Sequence, residues 1–284
     1  MTANINLWVE YIGEQSVPFF RGTVETLLKA AHDDEATCKQ LADSILRDPA
    51  LTARVIKIAN STFYNRSKIH VHDVRRAVLL IGFNKIYEIC LTTAIIETLL
   101  NKNTCKHVYD LLAVSLCAAV LATSFAKERD LTDTDELFIS ALLYNFGELA
   151  FWSLTGEAGE DISGKMKQYG DSDKAQRELL GITFRELTLG LSRHWNLGEL
   201  LNMALSSKDQ ADERCLCLQL AHRVARDRIF YFDQDNDDEL VLDVMRFIKK
   251  DHAKTEAYIN RKLDEAMQVV YLNLSYNFDR RSHR

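Results

Sequence analysis

The sequence predicts an all-α protein, and three observations carry that expectation. Only two prolines occur, apolar positions recur at three- and four-residue spacing almost throughout, and no segment sustains strict apolar–polar alternation. With 284 residues, 47% apolar and 27% charged, the chain has a globular composition and is long enough to bury a full core.

Helices are expected at about 21–31, 34–47, 49–61, 74–81, 83–100, 104–130, 134–146, 159–180, 184–195, 198–206 and 209–231, and over about 237–279 with a break. Several starts have a local chemical reason. At Asp48-Pro49 the carboxylate caps free N–H groups, and the proline takes the first helical position, where its missing donor costs nothing. That helix runs through Leu51, Val55, Ile58 and Ala59.

Asp73 precedes the run Val74, Ala77, Val78, Ile81, and Gly82 follows it as the expected positive-φ terminator. Asp133 with Glu136, and Thr183 with Glu186, have capping-box spacing. The segment Thr155-Gly156-Glu157-Ala158-Gly159 reads as a loop, and Asp233 to Glu239 as an acidic connection that supplies a helix cap. Its lack of a glycine turn and a terminal bidentate Glu argues against a calcium loop.

A net charge of −6 weighs against broad affinity for nucleic acid or anionic membranes, both of which need surplus Lys and Arg. The most apolar run, Leu111 to Ala126, is interrupted by Ser115, Thr123 and Ser124 and is shorter than the roughly 20 residues that span a bilayer, so it reads as a buried helix. The first residues lack a secretory pattern, and a cytoplasmic location is expected. Cys38, Cys90, Cys105, Cys117, Cys215 and Cys217 sit in apolar helical patterns and read as buried thiols, which suits a reducing compartment. His194, beside Trp195, reads as a partly buried structural histidine, and no nucleophile elbow or Gly-rich phosphate loop is present.

Two blocks give a sharper signal. Ile45-Leu46-Arg47-Asp48-Pro49-Ala50-Leu51 leads to Ala59-Asn60-Ser61 and then to Val74, Ala77, Val78, Ile81 and Gly82. Further on, Gly181-Ile182-Thr183-Phe184-Arg185-Glu186 leads through Gly190-Leu191 to His194-Trp195-Asn196-Leu197, where Gly198 follows. With Ala141-Leu142-Leu143 and Gly147-Glu148-Leu149 between them, this pattern resembles the HDOD domain over roughly residues 17–225.

The resemblance implies a single multi-helix bundle related to the HD superfamily over 1–284, in which 226–284 form C-terminal helices that pack on or extend the core. It also implies a role in bacterial signal transduction, as a regulatory module acting on a protein partner supplied in trans. An HD-type phosphohydrolase would carry a His, a His-Asp pair and a later Asp as metal ligands. The corresponding positions here are Ser115, Tyr144, Asn145 and His222, with Ser206 and Ser207 at accessory positions. A hydroxyl, a phenol and an amide do not replace imidazole and carboxylate around a divalent ion, so neither a metal nor another cofactor is expected.

Two alternatives remain open at this stage. One is a metal-dependent phosphohydrolase with rearranged ligands drawn from His70, His72, His107 and His222. Asp73, following His72, reads as a helix cap and not a ligand, and His32-Asp33 lies in a polar connection. The other is nucleotide or nucleic-acid binding through the basic stretch Arg47 to Lys85, where Arg66, Arg75 and Arg76 flank the Phe63-Tyr64 turn and mark a candidate ligand or partner surface.

Overall fold

Every regular element among the described residues is a helix. The structure, a computed structural model, describes residues 2–16, 45–46, 49–60, 65, 69–83, 85–86, 90, 92, 106–155, 173–195, 197–206, 212–230 and 237–281. The helices are α1 (Thr2–Ser16), α2 (Pro49–Ala59), α3 (Val74–Ile81), α4 (Lys106–Glu128), α5 (Thr134–Leu143), α6 (Phe146–Thr155), α7 (Asp173–Leu180), α8 (Phe184–Trp195), α9 (Glu199–Ser206), α10 (Glu213–Phe230), α11 (Asp237–Ile248) and α12 (His252–Arg281). The expected helix near 21–31 and most of those over 34–47 and 83–100 lie outside the described residues, as do 156–172 and the acidic connection up to Asn236.

Local capping sets several boundaries. The Arg76 N–H donates to Asp73 Oδ1 at 2.8 Å, and Gly82 closes α3 with φ +97°. The box at α8 is reciprocal: Glu186 N–H donates to Thr183 Oγ1 at 3.1 Å, and Thr183 N–H donates to Glu186 Oε2 at 2.9 Å. Asp133 departs from expectation. Its backbone is left-handed, with φ 56°, and its carboxylate accepts from the Thr132 hydroxyl at 3.0 Å and caps no helical N–H. At the end of α2, Asn60 clamps the next segment to the helix: its Nδ2 donates to Val71 O at 2.7 Å, and its Oδ1 accepts from Val71 N–H at 2.8 Å.

The core is organised around α4, which packs against α10, α5 and α12. Leu111 through Ala119 are all buried, Ser115 included, so this helix has no solvent face along that run. Tyr258 on α12 donates its hydroxyl to Ser124 O at 2.9 Å, and Cys217 on α10 donates to Ala122 O at 3.3 Å. The stretches His107–Glu128 and Thr134–Thr155 are each 22 residues long and apolar enough to cross a membrane by composition, a longer span than the Leu111–Ala126 run suggests. They are 78% and 89% buried within the fold, as core helices are.

Helix α1 is not among the expected elements. It lies against α8 and α6, with Trp8 5.2 Å from Phe151 and Val9 so close to Gly190 that a Cβ there would come within 2.9 Å of its methyl. Cys90, Cys117, Cys215 and Cys217 are buried free thiols, and burial pushes Cys90, Cys117 and Cys217 up to about 12. Cys38 and Cys105 fall outside the described residues. His194 is exposed, contrary to the sequence reading; Trp195 beside it is buried against Phe146 at 5.6 Å.

Candidate functional site

The helix expected over 134–146 breaks at Tyr144-Asn145 and restarts as α6. The Tyr144 N–H donates to Ala141 O at 3.3 Å in a tight turn, and Asn145 O accepts from the Leu149 N–H at 2.9 Å. Gly147 then lets α6 approach α8 at backbone distance. Its N–H donates to Thr188 Oγ1 at 3.0 Å, and a Cβ at this position would stand 2.5 Å from Thr188 N. The Thr188 hydroxyl in turn donates to Phe184 O at 2.8 Å, so both its hydrogen-bonding roles are used.

This junction opens a pocket of about 180 Å³ lined by Tyr144, Asn145, Glu148, Asp173, Gln176, Phe184, Arg185, Thr188, Leu205, His222 and Arg226. Helix α10 contributes His222 and Arg226, one turn apart and therefore on one face. Arg185 reaches across from α8 and donates from Nε to Leu205 O at 2.6 Å, satisfying a carbonyl at the end of α9.

Glu148 is the buried charge of the site. Its Oε2 accepts from Arg226 Nη1 at 3.0 Å, and its Oε1 lies 3.6 Å from His107 Nε2 and 3.4 Å from Trp152 Nε1. Burial pushes its carboxyl up, but the Arg226 charge and the hydrogen bonds from His107 and Arg226 outweigh that and bring it down to about 2. His222 goes the other way for a base. Burial, then the positive charge of Arg226, lower it to about 3 against the opposing pull of Glu148, so its imidazole is neutral at neutral pH. Its ring lies 4.7 Å from that of Tyr144, whose phenol is pushed up by burial against the lowering influence of Arg185.

Of the positions read from the sequence, Tyr144, Asn145 and His222 share this pocket. Ser115 is buried on α4 with no hydrogen-bond partner for its hydroxyl among the described residues, and it does not line the pocket. Ser206 is exposed, with Arg193 3.5 Å from its hydroxyl, and Ser207 lies outside the described residues. Arg75 and Arg76 are exposed on α3, while Arg66 and the Phe63-Tyr64 turn lie outside the described residues. His70 and His72 are exposed and stack on each other at 4.5 Å.

The four histidines proposed as rearranged ligands are not brought together: no group of three or more His, Cys, Asp or Glu side chains among the described residues is placed to hold a metal ion. The pocket's own donors do not fit a divalent cation either. They offer one imidazole, a phenol, a hydroxyl and two amides; of the two carboxylates, Glu148 is already engaged by a guanidinium and Asp173 is exposed.

The sequence reading did not assign roles to Glu148 and Arg226. A signal existed, since Glu148 is the one charged residue in Phe146–Thr155, and a buried carboxylate requires a counter-charge. The partner, however, lies 78 residues away in sequence.

A sequence profile of the HDOD domain matches residues 17–211, well over half of the chain. The chain belongs to the HDOD domain family. Solved structures of low identity share the fold. An HDOD domain protein of unknown function from Geobacter sulfurreducens superposes with a TM-score of 0.78 at 19% identity, covering 96% of this chain and 99% of that one. A Shewanella amazonensis SB2B protein described as a "Putative phosphohydrolase" superposes with a TM-score of 0.72 at 20% identity, covering 95% and 98% respectively. A Marinobacter aquaeolei VT8 protein described as a "Putative signal transduction protein" gives 0.65 at 18%, covering 89% of this chain and 58% of that one. No curated protein matches the sequence. These HDOD neighbours support the all-helical architecture predicted from residue spacing.

Proposed function

We propose that this HDOD protein is a non-catalytic regulatory module of a signalling pathway, with a degenerate metal site, acting through contacts with a protein partner supplied in trans. The observation that carries the reading is the state of the Tyr144-Asn145 pocket. Its buried carboxylate, Glu148, is held by Arg226, and the positions of the HD-type ligands present neutral groups. Hydrolysis of a phosphoester by this fold's usual route needs a cation to polarise the phosphoryl group and to ready a water. A guanidinium fixed at 3.0 Å from the carboxylate supplies positive charge but has no coordination position for water.

The test is metal analysis and phosphodiesterase turnover on one purified preparation of the full chain. The reading expects sub-stoichiometric metal and no turnover above background. Stoichiometric metal together with turnover that disappears on Asn145→Ala would overturn it in favour of a hydrolase.

A further inference from the structure

We propose that the outward face of α3 docks an amphipathic helix of the partner protein, with Leu79 and Leu80 as apolar anchors and Arg75 and Arg76 opposite acidic side chains of that helix. A surface helix ordinarily turns charged or polar side chains outward, and α3 does so only in its first turn. Val74, Ala77 and Val78 fill its inner face, each at 2% exposure or less, which leaves Arg75, Arg76, Leu79 and Leu80 on the outside. Leu79 is 79% exposed, more than any other large apolar side chain among the described residues, and Leu80 beside it is 43% exposed. A lone exposed leucine needs no explanation, but two adjacent ones on the outer face of an eight-residue helix make a contiguous apolar patch.

The fold cannot hide these leucines. Neighbouring positions lie about 100° apart around a helix axis, so a rotation of α3 that buried Leu79 would carry Val78 towards water. The helix is also pinned at both ends. Asn60 holds Val71 through two hydrogen bonds, Asp73 Oδ1 accepts from the Arg76 N–H at 2.8 Å, and the Gly82 N–H donates to Val78 O at 3.0 Å. A face fixed before contact loses little freedom on binding.

Charge identifies the occupant. Arg47 to Lys85 carry eight Lys and Arg against two Asp, a net of +6 within a chain whose net charge is −6. Arg75 and Arg76 are exposed, and the Arg76 guanidinium has no ion pair among the described residues. Asp73, the acid at the head of α3, already uses Oδ1 for the cap. The face therefore complements a negative one. Arg75 and Leu79, like Arg76 and Leu80, are four positions apart, so each guanidinium stands one turn from a leucine. The matching surface is a helix whose apolar side chains have Asp or Glu at the same spacing, packed ridge into groove. Arginine beside aliphatic anchors suits a protein interface, whereas a phosphate backbone gains nothing from two leucines. A second copy meeting through this same face would bring four guanidinium groups into one contact with no acid but Asp73 to offset them.

The inference rests on the regulatory reading above and names the partner's chemistry; metal content and turnover judge that reading, and peptide binding judges this one. The full chain, labelled with ¹³C-methyl leucine and assigned through Leu79→Gln and Leu80→Gln, is titrated with three synthetic peptides of about 15 residues. One places Leu on a single helical face with Glu four residues from each, one scrambles that composition, and one carries Lys in place of Glu. The expected result is a saturable shift of the Leu79 and Leu80 methyl resonances with the first peptide only, weakening as salt rises. Affinity should fall by about tenfold or more in Leu79→Gln and in Arg76→Glu, with Tm unchanged because both side chains are exposed.

No saturable shift at these methyls with the acidic peptide would overturn the proposal, as would equal binding of the scrambled or the lysine peptide. Shifts produced by a DNA duplex but not by the peptide would give the face to nucleic acid. A dimer in sedimentation that Leu79→Gln abolishes would give it to a second copy. Either result overturns a partner helix as the occupant. Should a variant not fold, the methyl shifts of the unaltered chain decide. A metal-free, inactive preparation whose α3 ignores all three peptides removes this inference and leaves the regulatory reading standing.

Discussion

Glu148 on α6 and Arg226 on α10 are joined at 3.0 Å across 78 residues of sequence, inside a wall where Glu148 is almost wholly buried. Removing one partner leaves the other's charge without its main compensation. Arg226→Met is expected to destabilise the protein by about 3–5 kcal/mol, whereas adding Glu148→Gln to it should recover much of that loss. Urea denaturation of the two single variants and the double variant provides the cycle.

Acid should unfold this protein in two overlapping steps with the same sign. His222 is lowered to about 3, so between that value and its ordinary 6.5 the unfolded chain binds a proton that the folded chain refuses. Stability therefore falls as pH drops through this window. Glu148 is lowered to about 2 from its ordinary 4.5, and its contribution, full above 4.5, is lost as pH falls towards 2. Each group contributes a slope of up to about 1.4 kcal/mol per pH unit. In His222→Gln the slope between pH 6.5 and 4.5 should flatten while the lower limb persists, measured by denaturation at a series of pH values.

Two glycines should fail for different reasons. Gly147→Ala places a methyl 2.5 Å from the Thr188 backbone nitrogen and must force α6 off α8, at a cost of about 1–3 kcal/mol or more. Gly82→Ala meets no atom within 4 Å, but its backbone, at φ 97° and ψ 154°, is a conformation kept almost wholly for glycine, which costs about 1–3 kcal/mol. The Gly147 change should also perturb the His222 resonance, since it moves the pocket wall. The Gly82 change should not.

Asn60→Ala removes both hydrogen bonds that hold Val71 to the end of α2. The expected loss is about 1–3 kcal/mol by denaturation, with Val71 N–H and C=O left to find other partners. Asn60→Asp keeps the acceptor for Val71 N–H and loses the donor for Val71 O, so it should fall between the parent and the alanine variant.

The thiols of Cys90, Cys117 and Cys217 should not react with a thiol-specific reagent in the folded state. Burial holds them in the protonated form, and the thiolate is the nucleophile. Peptide mass spectrometry after timed labelling should show these three modified only at the rate of opening, with rapid modification once urea is added.

What the sequence reveals about this fold follows the range of the interaction involved. The starts at Asp73 and Thr183-Glu186 are fixed by groups three residues apart, and the structure places those caps as the spacing predicts. Asp133 has the same spacing, but its side chain is taken by Thr132 and its backbone is left-handed, choices that no pattern of residue types records. The first helix was legible and passed over: Ile5, Trp8, Val9 and Ile12 have the spacing of one helical face. The break at Tyr144-Asn145 carries no glycine or proline, so periodicity runs straight through it. In the pocket, the positions at the α5–α6 break and on α10 can be named from motif order, but the Glu148–Arg226 pairing arises only when α6 and α10 are brought side by side.

The family profile ends at residue 211, and His222 and Arg226 lie beyond it. The stretch by which this domain is recognised thus leaves out two of the eleven residues that line the pocket, and one of the two is the counter-charge of Glu148. An excised fragment covering only 17–211 would likewise leave the rear of the pocket open and strip α1 from the Gly190 face.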